Sequence, residues 1–286
     1  MTTSVTVLSL ALTMASVSLQ TPAPVFRSST HAVAVGAAVF DGDRVEPNLT
    51  ASDFDIRDNG VRQTITAADF NTLPIDLRLV LDTSGSISEE DLAHYLRTMR
   101  QVTAALEPRD RCEIITFSSR IADAASRQRP PITIDLKRVG GDGTAFFDAV
   151  SLALITVPTA DRRQITIVLS DAMDNASFFD EAALLDAARR TDAVVYTILP
   201  GDPLLARAVS VARLQALSLL TGGRLDRTPE HAVGSAVNKA IKEFRQSYVL
   251  RFTLTGVAVE GWHKLDVRVR TDGHYRIRTR PGYFAH

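Results

Sequence analysis

Between residues 74 and 246 the chain alternates apolar runs of strand length with stretches of helical spacing, and nothing else limits its folding as strongly. Ile75–Leu81, Cys112–Phe117, Gln164–Leu169 and Ala193–Leu199 are the strand-like runs. Leu92, Leu96, Met99, Thr103 and Leu106 keep the spacing of one helix face, and Pro108 closes that helix. Ser86 with Glu89, or Ser88 with the acids after it, supplies its cap. Phe146, Val150, Ala153 and Val157 mark a second helix, and Phe179–Thr191 a third. A fourth starts at Pro203 and ends at Gly222-Gly223, and Pro229–Phe244 is the last. Strands and helices in this order imply right-handed βαβ units and a parallel sheet covered on both faces. The expected fold class is α/β, doubly wound and mainly parallel, with small flanking β segments at both ends.

The flanks read differently. Val33, Val35, Ala37 and Val39 alternate as on a half-buried strand. Phe54–Ile65 reads as a hairpin around Asn59-Gly60, the favoured dipeptide of a type I′ turn. Ser247–Thr255 is a strand, and Leu265, Val267 and Val269 predict a second hairpin with Tyr275 and Ile277 across Asp272-Gly273. The expected division is 1–20, 21–73, 74–246 and 247–286. Whether the two β flanks pair stays open in the sequence; both being β, and chain ends usually lying close together, favours it.

With 286 residues there is room for one large domain with additions. The net charge of −1 gives no reason to expect nucleic acid as a partner. Arg268, Arg270, Arg276, Arg278 and Arg280, spaced two apart in strands, read as solvated faces. Cys112 is the single cysteine, so no internal disulfide forms, and it reads as a buried strand residue. Residues 5–19 resemble the apolar core of a signal peptide, although no Lys or Arg precedes Arg27. Export to the periplasm or cell exterior is expected, with no other membrane span. Asn48-Leu49-Thr50 fits a glycosylation sequon, relevant only in a eukaryotic secretory host. His31, His94, His231, His263, His274 and His286 show no spacing for zinc or for a catalytic triad.

The chemistry concentrates in Leu81-Asp82-Thr83-Ser84-Gly85-Ser86, which leaves the first strand of the α/β part. Alternate residues of an extended loop turn their oxygens to one point, and hard oxygens suit Mg²⁺ or Mn²⁺. Asp171 follows the strand ending at Leu169, and Gly140-Gly141-Asp142-Gly143-Thr144 opens a helix. Parallel sheets gather such loops on the carboxyl edge of the strands, where ligands bind. Asp82, Ser84, Ser86, Thr144 and Asp171 are therefore the candidate metal residues. Asp142 adds negative field beside them, and Asp174 with Asn175 fixes the turn after Asp171.

Asp-x-Ser-x-Ser after a strand, a Gly-Thr loop about sixty residues later, and a strand-ending Ser-Asp resemble the metal-ion-dependent adhesion site of von Willebrand factor A domains. The resemblance implies that Ser84, Ser86 and Thr144 touch the ion and that Asp82 and Asp171 hold it through water. The wider chain resembles the bacterial von Willebrand factor A-related proteins, often found in acidobacteria. Leu49-Thr50-Ala51-Ser52-Asp53-Phe54, Asp58-Asn59-Gly60, Tyr248-Val249-Leu250 and Arg280-Pro281-Gly282-Tyr283 carry this likeness across about residues 31 to 284. The resemblance implies a six-stranded sheet. It also marks a departure: Ala172 stands where the family usually has glycine, and a small effect is expected.

An octahedral ion held by neutral hydroxyls and water-linked acids keeps one position open, and an Asp or Glu carboxylate of a partner protein is its natural ligand. The expectation is an exported, metal-dependent protein-binding module without catalysis. A structural subunit of an envelope assembly with a non-essential metal site is the alternative. A metal-dependent hydrolase is disfavoured, because the loops offer no Lys, Arg or His and no phosphate-binding glycine pattern.

Overall fold

The computed structural model describes residues 32–70, 73–85, 87–138, 140–155, 161–202, 207–271 and 273–285. The apolar segment 5–19, Ser86, Pro203 and Asp272 lie outside them. The described chain opens with β1 (Ala32–Asp41), and β2 (Arg44–Val45) folds back on it. β3 (Phe54–Asp58) and β4 (Val61–Gln63) form the hairpin expected at Asn59-Gly60. Both turn residues have positive φ, 46° and 84°, which a type I′ turn requires. β5 (Ile65–Phe70) completes the first flank.

Strands and helices then alternate: β6 (Ile75–Asp82), α1 (Glu89–Ala104), β7 (Arg111–Phe117), β8 (Ile121–Gln128), α2 (Phe146–Leu154) and β9 (Arg163–Leu169). α3 (Glu181–Arg190), β10 (Val194–Pro200), α4 (Ala208–Thr221), β11 (Leu225–Thr228) and α5 (Val233–Arg245) follow. Of the two caps open to α1, the second forms: Ser88 Oγ accepts from the Asp91 N–H at 3.1 Å. Gly222, with φ 86°, ends α4 in the left-handed conformation that glycine adopts without strain. The last flank is β12 (Tyr248–Thr253), β13 (Gly261–Val269), β14 (Tyr275–Thr279) and β15 (Gly282–Ala285).

β6 to β11 form one six-stranded sheet in the order β11-β10-β9-β6-β7-β8. It is mixed, because β8, absent from the sequence reading, runs antiparallel to β7 at one edge. Every residue of β6 is buried, as a central strand demands. Leu77, Leu79 and Leu81 face α1 and α5, whereas Val80 faces α2, α3 and α4. Cys112 sits in the first of these cores, and burial pushes its thiol up to about 12.

The expected doubly wound, mainly parallel sheet with small flanks is not what this chain forms. Beside the mixed sheet stand a five-stranded sheet (β14-β1-β12-β5, with β2 on β1) and a four-stranded one (β15-β13-β3-β4), both antiparallel throughout. They share one core of Val35, Val39, Phe54, Ile56, Leu250, Phe252 and Val267, and so form a sandwich rather than two appendages. The second hairpin is also corrected. β13 pairs with β3 and β15, whereas β14 pairs with β1, so the turn between them crosses from one sheet to the other. Period-2 alternation reveals a strand but not its partner, and β3 and β1 lie more than 200 residues before β13 and β14.

The motifs at opposite ends of the chain hold each other. Tyr248 Oη accepts from the Leu49 N–H at 2.9 Å and donates to the Glu46 carbonyl at 2.7 Å. Tyr283 Oη donates to Asp58 at 2.6 Å, and His263 Nδ1 lies 2.8 Å from the other Asp58 oxygen. Arg280 spans from the sandwich to the end of α3, donating to the carbonyls of Arg189 and Thr191 at 2.8 and 2.9 Å. These carbonyls have no partner within their own helix, so Arg280 both caps α3 and fastens it to the sandwich.

Candidate metal centre

Strand order places the site. β6 connects to β7 on one side, and the chain then crosses back so that β9 lies on the other. The carboxyl ends of β6 and β9 therefore flank the switch point, where loops part and leave a crevice. Asp82 ends β6, and Ser170-Asp171 follows β9.

The Asp82 loop is stiffened from within and without. Asp82 Oδ1 accepts from the Ser84 N–H at 3.0 Å, an Asx turn that folds the loop over the carboxylate. Thr83 donates its N–H and its hydroxyl to the Phe117 carbonyl at 2.7 and 3.0 Å. Arg138 donates to the carbonyls of Thr83, Ser84 and Ile87 at 3.0, 2.6 and 2.5 Å. A guanidinium with its donors in a fixed fork holds these three carbonyls of one loop in a single arrangement. Arg138 was not among the sequence candidates; it lies fifty residues beyond the loop it holds, in a stretch without periodicity.

Asp82 connects the two strand ends. Its Oδ2 accepts from Ser170 Oγ at 2.7 Å, and Ser170 Oγ accepts in turn from the Ala172 N–H at 2.9 Å. Asp171 folds its own turn through the Met173 N–H at 3.0 Å and stays exposed. Arg213 from α4 donates to the Ala172 carbonyl. Ala172 is buried and has φ 55°, in the left-handed region. Glycine would sit at this φ freely, whereas the Ala172 Cβ carries strain.

The Thr144 loop is bound to the Asp171 loop, not merely near it. Asn175 Oδ1 accepts from the Thr144 N–H at 2.7 Å, and the Thr144 carbonyl accepts from the Asn175 and Ala176 N–H groups at 3.0 and 3.2 Å. Asp174 Oδ2 accepts from the Phe147 N–H at 3.0 Å, in the first turn of α2. Asp174 and Asn175 thus do more than fix their own turn; they clamp the entrance of α2. Gly143 is required for this approach, since a Cβ there would stand 2.9 Å from the Ala176 Cβ and 3.1 Å from that of Ser119. Asp142 reaches toward the third loop: a Cβ on Gly85 would lie 3.7 Å from its Oδ1.

Asp82, Ser84, Thr144, Asp171 and Asp142 thus belong to three loops tied into one cluster, and Ser86 lies outside the described residues. Asp82, Ser84 and Thr144 are buried, with exposures of 4%, 4% and 8%. Burial raises the Asp82 carboxyl above the ordinary carboxylate range; the charge of Asp171 adds to this, while hydrogen bonds from Ser84 and Ser170 oppose it. The enclosed carboxylate is therefore short of positive charge. Among the described residues, no group of three or more His, Cys, Asp or Glu side chains could hold a metal ion. The donors here are mainly hydroxyls, with acids behind them. Such a set fits a small hard cation and is wrong for zinc or another soft metal.

No family model matches the chain, and no curated protein matches it. Solved structures do. The chain is similar to conserved hypothetical protein BatB from Bacteroides thetaiotaomicron, with 17% identity and a TM-score of 0.45 over 59% of this chain and 98% of that one. It is similar to an aerotolerance-related membrane protein from Bacteroides fragilis, with 18% identity and a TM-score of 0.43 over 59% and 99%. It is also similar to the ArnB paralog VWA2 from Sulfolobus acidocaldarius, with 11% identity and a TM-score of 0.48 over 87% and 75%. Among the described residues no helix is long and apolar enough to cross a membrane.

Proposed function

We propose that this chain is an adhesion-type module of the von Willebrand factor A kind, binding an acidic side chain of a partner protein through a divalent cation. The observation that carries the reading is the buried Asp82 at a strand-order switch, with the Ser84, Thr144 and Asp171 loops drawn around it and no basic side chain paired to it among the described residues. Ser84, Ser86 and Thr144 would hold Mg²⁺ or Mn²⁺, with Asp82 and Asp171 behind them. The ion would supply a strong electrophile for a partner's carboxylate. This chain's own residues orient the loops, exclude water from Asp82 and leave the outer side free. In this reading the module binds a partner and does not catalyse. The apolar segment 5–19 supports action in the periplasm or outside the cell.

Calorimetric titration of the chain with Mn²⁺ and with Mg²⁺, beside Ser84→Ala and Thr144→Ala, tests the proposal. The expected result is one ion bound, weakened at least tenfold in either variant, and affinity for carboxylate-bearing partners that EDTA abolishes. Partner binding that is equal in EDTA and in Mg²⁺ would overturn it.

A further inference from the structure

The outer face of the four-stranded sheet is charged against the character of the whole chain. Along β13 the outward positions are Trp262, Lys264, Asp266 and Arg268, alternating with the buried His263, Leu265 and Val267; Arg270 follows just after the strand. Asp55 and Arg57 of β3 face the same way, and Arg62 of β4 stands opposite Arg57. Five cations (Arg57, Arg62, Lys264, Arg268 and Arg270) thus share this face with two carboxylates, Asp55 and Asp266. The whole chain carries −1.

The two carboxylates are already divided among the arginines. Arg57, Arg62 and Arg270 lie 3.5, 2.8 and 3.4 Å from Asp55, and Arg268 lies 2.6 Å from Asp266. One carboxylate cannot neutralise three guanidiniums, so a positive field remains over a flat, solvent-facing sheet. Arg57, Arg62, Arg268 and Arg270 keep side-chain exposures of 44% to 70%, so their forks are open to a visitor. At one end, Trp262 packs edge-on to Phe284 and is 37% exposed.

We infer that this face docks an extended acidic segment of a protein, whose carboxylates take the guanidinium positions that Asp55 and Asp266 leave unsatisfied. Two features choose the partner. The forks here already close on carboxylates. The outward side chains of β13 recur every second residue, about 6.8 Å, with Lys264 and Arg268 two such repeats apart around Asp266, and alternate side chains of an extended peptide keep the same repeat. No ion is involved, so the inference stands apart from the metal site and survives its failure.

A fluorescein-labelled decaglutamate peptide is the probe, followed by anisotropy with the full chain in EDTA. The expected result is saturable binding that weakens at least tenfold in Arg62→Glu with Arg268→Glu, and at least tenfold between about 20 mM and about 200 mM salt. Arg276→Ser, on an exposed position of the other sheet, serves as the control and leaves binding within twofold. Circular dichroism and melting check that the paired variant folds; if it does not, Arg57→Ser with Arg62→Ser replaces it. Absence of binding, or binding indifferent to the face variants, overturns the inference. So does tighter binding of a heparin oligosaccharide or of oligothymidylate, which would make the face a general polyanion site.

Discussion

Asn175 grips Thr144 from both sides of the peptide: its side-chain oxygen accepts the Thr144 N–H at 2.7 Å, and its own N–H donates to the Thr144 carbonyl at 3.0 Å. Thr144 is the hydroxyl proposed to touch the ion, so Asn175 sets where that hydroxyl stands without touching the ion itself. Asn175→Ala removes one of the two bonds. The expected cost is about 1 kcal/mol of stability, the net worth of one hydrogen bond. Mn²⁺ affinity should fall further than stability, by about tenfold, as is usual when a group that orients a metal ligand is removed. Calorimetry on folded variant measures both; unchanged Mn²⁺ affinity would show that Thr144 does not need this clamp.

Arg138 offers a second test at a distance. Its guanidinium reaches three carbonyls of the loop carrying Ser84, and its contact with Glu89 at 3.3 Å joins that loop to the start of α1. Arg138→Lys keeps the charge and loses the fork. If the fork orders the loop, Arg138→Lys should lower Mn²⁺ affinity about as much as Arg138→Met. If only charge matters, Arg138→Lys should bind as the unmodified chain does. Comparing the two variants by titration separates the explanations.

Much of this was legible in the sequence, and the limits are physical. β6 announced itself because a central strand must be apolar throughout, and the loops carrying Asp82, Ser84 and Asp171 could be placed together because strand ends in such sheets gather on one edge. Asn59-Gly60 predicted its hairpin because few dipeptides tolerate two successive positive φ values. The sandwich was not foreseen: β13 and β14 are adjacent in sequence and separated in space, and alternation alone pointed to a hairpin. β8 escaped because Ala122, Ala124 and Ala125 give it a weak apolar signal. Arg138, Arg213 and Asn175 were missed as supports for the same reason as one another, since each acts on a backbone carbonyl or N–H far along the chain and such contacts leave no periodic trace.

Ala172 places a measurable strain beside the site. A non-glycine residue at φ 55° costs about 1 kcal/mol, and the buried methyl returns about as much by leaving water. Ala172→Gly should therefore leave stability within about 0.5 kcal/mol of the unmodified chain. Ala172→Val adds a β-branch where the backbone least accepts one, inside a filled core, and should cost about 2 kcal/mol or more. Urea unfolding of the three forms decides; a well-tolerated valine would mean that the turn relaxes out of the left-handed region.

Asp82 should make stability and ion binding respond oppositely to pH. Burial raises its carboxyl from the ordinary value of 3.8, so the folded chain holds a proton that the unfolded chain has already released. Stability from this group is complete below that ordinary value and is lost as pH rises through the raised one. Ion binding runs the other way, because the cation favours the ionised carboxylate and must displace its proton. Without a divalent ion, Asp82→Asn should thus be at least as stable as the unmodified chain at pH 7, and its relative advantage should shrink as pH falls toward 4. With Mg²⁺ in excess the unmodified chain should gain melting temperature and the variant should not. Melting curves at pH 4 to 8, in EDTA and in Mg²⁺, report all four limits. A variant clearly less stable than the unmodified chain in EDTA at pH 7 would mean that the hydrogen bonds from Ser84 and Ser170 outweigh the burial of the charge, and that Asp82 is held for structure before any ion arrives.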